Sequence, residues 1–442
     1  MSSSPTKDPV LDGPKRLAAA FPDKELSMAS LSVHADDYIN NHRAVAPPMH
    51  LSTTYRYAEN PDDLRPWDNL DVCFSLSSSP IKAHNTKWLT RNQPSAPYDS
   101  HIYSRDSAPN STRLEAILTS LLGAPVLTYA SGLSAFHAMI VFLNPKRVAI
   151  GGGYHGCHGI LKLMKKLNGL EQLELESESD LAKLQPGDII HVETPLNPTG
   201  EARDLAYYRK KADELGCYLT VDATFAPPPL QDPFQFGVDV VMHSGTKYFG
   251  GHSDMLCGVL AFRPDKAEEW LPELREERLH VGAVLGSLEG WLGVRSLRTF
   301  ELRIKRQAES AQKLVDWLVE EKANEGSLIS EFVTRIQHAS QQPEAQEEGS
   351  WLRKQMPGGF GPVFSLYLKS EEQAKRFPSK LHLFHHATSL GGVESLIEWR
   401  AMSDLGIDKR LLRVSIGVEA WEDLRDDFIQ GLEALKKDPK AQ

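Results

Sequence analysis

Between Pro125 and Pro264 the chain alternates short apolar runs with longer mixed ones. Pro125–Tyr129, Arg147–Ile150, Asp188–Val192, Tyr218–Asp222, the run ending at His243, and Met255–Phe262 are short and nearly uniformly apolar, and read as buried strands. Leu133–Leu143 and Arg203–Leu215 lie between them and read as helices. Apolar strands alternating with helices predict βαβ units and a mainly parallel sheet with covered faces, an α/β fold. Beyond Trp291 the period changes. Phe300, Ile304, Ala308, Ala311, Val315 and Leu318 recur at three- and four-residue steps, which predicts a long helix with one apolar face. Phe360–Leu368 and Leu411–Ile416 read as strands of a smaller α+β C-terminal domain, and Gln341–Gly349, dominated by Gln and Glu, as a solvated loop.

The amino-terminal part follows neither pattern. Residues 1 to about 30 read as flexible, and His34–Tyr57 as ordered, with Pro47-Pro48 marking an extended segment. Residues 60–100 are rich in Pro, Asp, Ser and Asn and read as a long excursion, of the kind that is functional or disordered. The resulting division is 1–100 for the terminal segment and excursion, 101–288 for a large ligand-binding domain, and 289–442 for a small C-terminal domain.

Composition narrows the function classes. The chain has 442 residues, more than one ordinary core accommodates. A net charge of -10, with no long acidic run, argues against a nucleic-acid partner. No apolar stretch is long enough to span a membrane, so no membrane association is expected. Cys73, Cys157, Cys217 and Cys257 lie far apart, which argues against a disulfide framework and for a reducing compartment. Met1–Lys15 lacks the apolar core of a secretion signal, and a cytoplasmic location is expected.

Candidate chemistry lies beyond the strand ends, where open α/β sheets bind ligands. Val240–Val241–Met242 leads into His243–Ser244–Gly245–Thr246–Lys247, which delivers an amine to the sheet rim, and Tyr218–Asp222 ends in a carboxylate. An amine and an anion at neighbouring strand ends suit pyridoxal 5'-phosphate (PLP): the amine holds the aldehyde and the anion holds the pyridine nitrogen. Ala130–Ser131–Gly132–Leu133 is a strand end opening into a helix, a phosphate cradle or an ordinary turn, and Ser244 and Thr246 add hydroxyls. The cluster Gly151–Gly152–Gly153 lacks the dinucleotide spacing, and Tyr154 beyond it is placed either to stack on a flat ring or to pack in a tight turn. Cys157, His155, His158, His243 and His252 show no metal-ligand spacing, and no metal is expected. Pro195 and Pro198 stiffen the loop that carries Asn197, whose amide is a candidate for the ring hydroxyl. Arg413 sits inside the apolar run Leu411–Ile416, where it needs an anion, a carboxylate by preference, unless the strand is an edge and the side chain reaches water.

Taken together and in this order, these segments resemble the trans-sulfuration (Cys/Met metabolism) PLP-dependent enzymes of the cystathionine γ-synthase and β-lyase type, from about His34 to Leu435. The most specific stretch runs from Asp222–Ala226 through His243–Tyr248 to Gly250–Asp254. Tyr103–Ser104–Arg105, Ser131–Leu133, Tyr154 with Gly156, Glu193–Pro198, Ser389–Gly392 with Glu394–Leu396, and Arg413–Glu419 add to it. The resemblance implies PLP fold type I, the aspartate aminotransferase-like fold. It implies that Lys247 carries the cofactor and serves as general base, that Asp222 pairs with the ring nitrogen, and that Tyr154 stacks on the ring beside the reacting atoms. Gly132, Leu133, Ser244 and Thr246 would bind the phosphate, and Asn197, Ser389 and Arg413 the amino-acid substrate. Tyr103 and Arg105 would reach the phosphate of a neighbouring subunit, implying a homodimer or homotetramer with shared active sites.

The chain departs from the family pattern at Ala223 (usually Asn), at Trp399–Arg400 (usually His-Pro) and at Ala108–Pro109–Asn110 (usually Asn-Pro-Thr). Thr388 and Leu390 flank Ser389, matching neither the glutamate that precedes this serine in γ-enzymes nor the aromatic pair of bacterial β-lyases. The expected reaction is carbon–sulfur bond chemistry of the γ-synthase kind, γ-replacement on an activated homoserine. A cystathionine β-lyase or cysteine/methionine lyase is the alternative, and a non-catalytic PLP-fold protein is a more remote one. An aminotransferase shares the lysine–aspartate logic but not the His-Ser-x-Thr-Lys-Tyr context.

Overall fold

A computed structural model describes residues 26–37, 45–57, 59–63, 101–404 and 406–441. Most of the excursion expected over 60–100, and the first 25 residues expected to be flexible, lie outside the described residues. The strands are β1 (Val126–Tyr129), β2 (Arg147–Ile150), β3 (Glu171–Glu174), β4 (Ile189–Glu193), β5 (Tyr218–Asp222), β6 (Val240–Ser244), β7 (Gly258–Phe262), β8 (Val333–Gln337), β9 (Val363–Leu368), β10 (His385–His386), β11 (Leu396–Trp399) and β12 (Leu411–Ser415). The chain forms two compact units, one from the described residues up to Phe142 with Met255–Phe300, the other from Leu143–Asp254 with Glu301 onward.

In the first unit β1 and β7 pair antiparallel, Val126 opposite Ala261 and Tyr129 opposite Gly258. The helix Pro109–Leu122 opens on a proline, which has no amide to leave unpaired at that position, and ends at Gly123 with φ 62°. It packs on the helix Ser287–Leu297. A buried Glu115 pins this helix to β1. Its Oε1 accepts from the Thr128 amide at 2.9 Å and from Arg278 Nη1 at 2.7 Å. The three groups satisfy one another where water is absent, which a single buried charge could not do.

The second unit carries two sheets. In the first, β6, β5, β4, β2 and β3 lie side by side and all run parallel. Every residue of β4 is buried, His191 included, whose Nδ1 pairs with Thr220 Oγ1 of β5 at 2.9 Å; helices cover both faces of such sheets. The helix Leu205–Leu215 starts at Asp204, whose carboxylate accepts from the Ala206 and Tyr207 amides, and stops at Gly216 with φ 68°. The second sheet has the order β10-β11-β12-β9-β8, antiparallel except for β10 on β11. Its core joins Phe364, Leu366, Ile397, Leu412 and Val414 to Leu314 and Leu318 of the long helix Phe300–Ala323 and to Phe428 of the helix Trp421–Lys436.

The fold is the expected α/β architecture with a mostly parallel sheet and an additional α+β portion. The segment Gln341–Gly349 is not simply solvated. Gln342 bonds both backbone polar groups of Ala202, at 2.6 and 3.1 Å, and Ala345 is buried, while Glu347 and Glu348 are exposed. Glutamine amides that match a backbone donor and acceptor can go inside, and carboxylates without such partners stay in water.

Candidate active site

The parallel sheet places the first charges by its topology. Glu193 ends β4 and Asp222 ends β5, directly opposite each other in register. Asp222 pairs with Met242 of β6, and the chain then turns through Ser244, Gly245 and half-buried Thr246 to reach Lys247. The Asp222 carboxylate accepts from the Thr224 amide at 3.0 Å and the Thr224 hydroxyl at 2.5 Å. The same hydroxyl oxygen accepts from the Ser244 amide at 2.8 Å, tying the strand end that carries the carboxylate to the turn that carries the amine. Burial raises the pKa of Asp222, against the hydrogen bonds from Thr224 and the charge of Lys247. A cation is what would hold this carboxylate ionised.

Lys247 is a half-buried amine. Burial, and then the charge of Arg413, lower its pKa to about 8, against Glu398 and Asp222. Its Nζ donates to Ser389 Oγ at 2.6 Å. Ser389 holds a left-handed backbone, φ 75°, uncommon for a residue with a side chain. That turn aims its carbonyl at Arg413, whose Nη2 donates to it at 2.7 Å. Gly391, φ 82°, closes the turn over the lysine: a Cβ there would lie 3.0 Å from the Lys247 carbonyl carbon and the Tyr248 nitrogen.

Arg413 lies on β12, between β11 and β9. It is therefore interior to the sheet, only 5% exposed, and the edge-strand alternative does not apply. It has an anion of its own. Glu398, its cross-strand partner on β11, receives Nη2 at 2.6 Å, while Nη1 donates to Asn197 Oδ1 at 3.1 Å. Burial lowers the pKa of Arg413 to about 10 against the pull of Glu398. Asn197 is held in turn by its amide, which donates to Glu193 Oε1 at 2.7 Å, and the other oxygen of Glu193 accepts from the Tyr154 amide at 2.7 Å. Gly153, φ 143°, admits that carboxylate, since a Cβ there would meet it at 2.4 Å. Burial and the neighbouring Asp222 push Glu193 well above the usual carboxylate range. Tyr154 caps the helix His155–Asn168, and its hydroxyl pKa is raised by burial and then by Cys157, Asp222 and Glu193.

The second unit thus brings together Lys247, Asp222, Tyr154, Ser244, Thr246, Asn197, Ser389 and Arg413. The remaining candidates lie in the first unit. Gly132 and Leu133 open the helix Gly132–Leu143 directly after Ser131. Gly258 lets the carbonyl of Ser131 approach, since a Cβ there would stand 2.0 Å from it. Tyr103 is 42% exposed and Arg105 sits over its ring at 5.5 Å. Both line a cavity of about 600 Å³ with Thr54, Tyr55 and Ile102. Three supporting residues were not picked out from the sequence: Glu193, Thr224 and Glu398. Glu193 had the signal already used for Asp222, a carboxylate ending an apolar run, and Glu398 had the signal used for Arg413, a charge within one.

A buried carboxylate stabilised only by neutral donors and the field of a lysine, beside a half-buried lysine whose pKa is near 8, fits PLP. The pyridine nitrogen supplies the positive charge for the first and the aldehyde suits the second. The site therefore defines a PLP-dependent enzyme of fold type I. Residues 29–433 match the Cys/Met metabolism PLP-dependent enzyme family, and the chain belongs to that family. It is 31% identical to cystathionine gamma-synthase of Escherichia coli, over 94% of this chain and 99% of the relative. It is 32% identical to cystathionine beta-lyase of Lactococcus lactis, over 75% and 88%. The crystal structure of cystathionine gamma-lyase from yeast superposes with a TM-score of 0.75 at 28% identity, covering 93% of this chain and 98% of that one. The protein is a PLP-dependent carbon–sulfur enzyme. Among the described residues no helix is long and apolar enough to cross a membrane.

Proposed function

We propose that the protein catalyses γ-replacement on an activated homoserine, joining a thiol to the γ-carbon. The observation that carries the reading is the pair of contacts made by Ser389. Its hydroxyl takes the Lys247 amine and its carbonyl takes the Arg413 guanidinium, so the base and the carboxylate clamp flank one residue. An amino acid whose carboxylate sits on Arg413 then presents its Cα to Lys247, within reach of a base positioned in advance.

In this reading PLP, when bound, draws electrons from Cα through its protonated ring. Asp222 would keep the ring nitrogen protonated, and Tyr154 would cover the ring. By the family resemblance, Ser244, Thr246 and the amides of Gly132 and Leu133 would hold the phosphate, and Asn197 would orient the ring hydroxyl and the substrate. Lys247 takes the Cα proton and, for γ-chemistry, serves the Cβ proton as well. An amine whose pKa lies near 8 is a suitable base at neutral pH, because a useful fraction is unprotonated. Tyr103 and Arg105, exposed on this chain, are assigned to the phosphate of a neighbouring subunit, which makes the active unit at least a homodimer.

The lean towards γ-replacement rests on the neighbours of Ser389: Thr388 is exposed and Leu390 buried, and neither is aromatic. The similarity to cystathionine beta-lyase and gamma-lyase supports elimination as the second reading. Incubation with acylated homoserine plus cysteine, and separately with cystathionine, separates them. Cystathionine formed from the first mixture is the expected result. Fast release of pyruvate and homocysteine from cystathionine, without γ-replacement, overturns it.

A further inference from the structure

Arg400, one of the positions where the chain leaves the family pattern, is 3% exposed on the short helical turn that follows β11. Its Nη1 donates to Glu398 Oε2 at 3.0 Å. That oxygen already takes Arg413 Nη2 at 2.6 Å, and Ser403 Oγ donates to the other carboxylate oxygen at 2.8 Å. Glu398 is thus enclosed by two guanidinium groups and a hydroxyl. Among the described residues, Arg400 Nε has no hydrogen-bond partner.

The charges can be counted. Arg413 with Glu398 alone is a neutral buried pair. An incoming carboxylate would gain attraction from the guanidinium and meet repulsion from Glu398 close by, in a setting where charges are weakly screened. Arg400 raises the sum for the cluster of Arg413, Arg400 and Glu398 to one positive charge. We propose that Arg400 is a positioning residue for substrate recognition: by neutralising Glu398 it leaves the charge of Arg413 to the carboxylate of an amino-acid substrate, without itself touching that substrate. The inference rests on the reading that Arg413 receives this carboxylate.

The test uses the holoenzyme titrated with L-alanine and with L-alaninamide, which carries a neutral amide in place of the carboxylate. The readout is the ligand concentration that half-saturates the change in cofactor absorbance. Wild type is expected to prefer the acid. R400Q is expected to need roughly ten-fold more acid, with the amide changed by less than about two-fold, because only the like-charge balance is altered. E398Q is expected to move the other way and bind the acid more tightly. An R400Q protein that keeps the wild-type ratio, or that loses acid and amide equally, overturns the inference. Should R400Q fail to load cofactor, E398Q decides: an unchanged or lowered preference for the acid overturns it. A wild-type enzyme that does not distinguish acid from amide instead overturns the carboxylate role of Arg413, a separate failure.

Discussion

The two sheets of the second unit place charge in opposite ways. In the parallel sheet the charged groups come at the last residues of β4 and β5, Glu193 and Asp222, and β6 runs on into the turn that carries Lys247; the polar residues inside β4 and β5, His191 and Thr220, are neutral and pair with each other at 2.9 Å. All carboxyl ends emerge on one edge, so charges gather there without interrupting the core. An antiparallel sheet has no common end. Its Arg413 is mid-strand, in register with Glu398, and the charge is tolerated because its partner stands opposite on the neighbouring strand. The parallel edge therefore offers groups with shifted pKa values that await partners, and the antiparallel sheet offers a cation already paired. In the proposed function a substrate uses both.

Variants probe this contrast. The largest effect is expected from Lys247→Ala, which in the proposed function removes both the anchor and the base. Turnover should fall by at least ~10²–10⁴ and the cofactor absorbance should change, measured on purified protein supplied with PLP. Asp222→Asn comes next, with cofactor retained but kcat lowered by ~10²–10³, as for loss of one preorganised charge interaction. On the antiparallel side Arg413→Lys keeps the charge but not the planar fork, and should raise KM by ~10–10² with a smaller change in kcat.

A pH measurement sharpens the comparison further. The folded pKa of Lys247, about 8, lies below its ordinary 10.5, so between these values the unfolded chain holds a proton that the folded chain has released. Stability from this group is lowest below pH 8 and rises as pH climbs towards 10.5. The stability advantage of Lys247→Met apoprotein over wild-type apoprotein, followed by denaturant unfolding, should shrink across that window. A constant advantage would show that the amine is not held near-neutral. The smallest effect belongs to Gly391→Ala: left-handed backbone and a crowded Cβ should cost about 1–3 kcal/mol of stability, read as a lower melting temperature.

The parallel sheet was legible because apolar strands buried on both faces announce themselves. The strands that escaped notice are of another kind. β3, Glu171–Glu174, buries only Leu173, and β8 exposes Thr334 and Arg335, so at such edges the apolar signal shrinks to a residue or two. The helix His155–Asn168 was hidden by the glycines before it. In the site, Asp222, Lys247 and Arg413 could be found because each is a charge at the end of, or within, an apolar run. The sequence calls for a carboxylate partner at Arg413. It does not identify Glu398, since register between β11 and β12 is a property of the folded sheet and not of either segment. Nor could it show that Thr224 links Asp222 to the Ser244 amide across neighbouring strands.

The left-handed turn at Ser389 has a corollary for how the protein can fail or adapt. A single peptide orientation directs the hydroxyl to the amine and the carbonyl to the guanidinium. Relaxation of that dihedral would release basicity and ligand grip in the same motion. Lesions in this loop should therefore depress proton abstraction and acid recognition in proportion, and selection acting on one property there will drag the other with it.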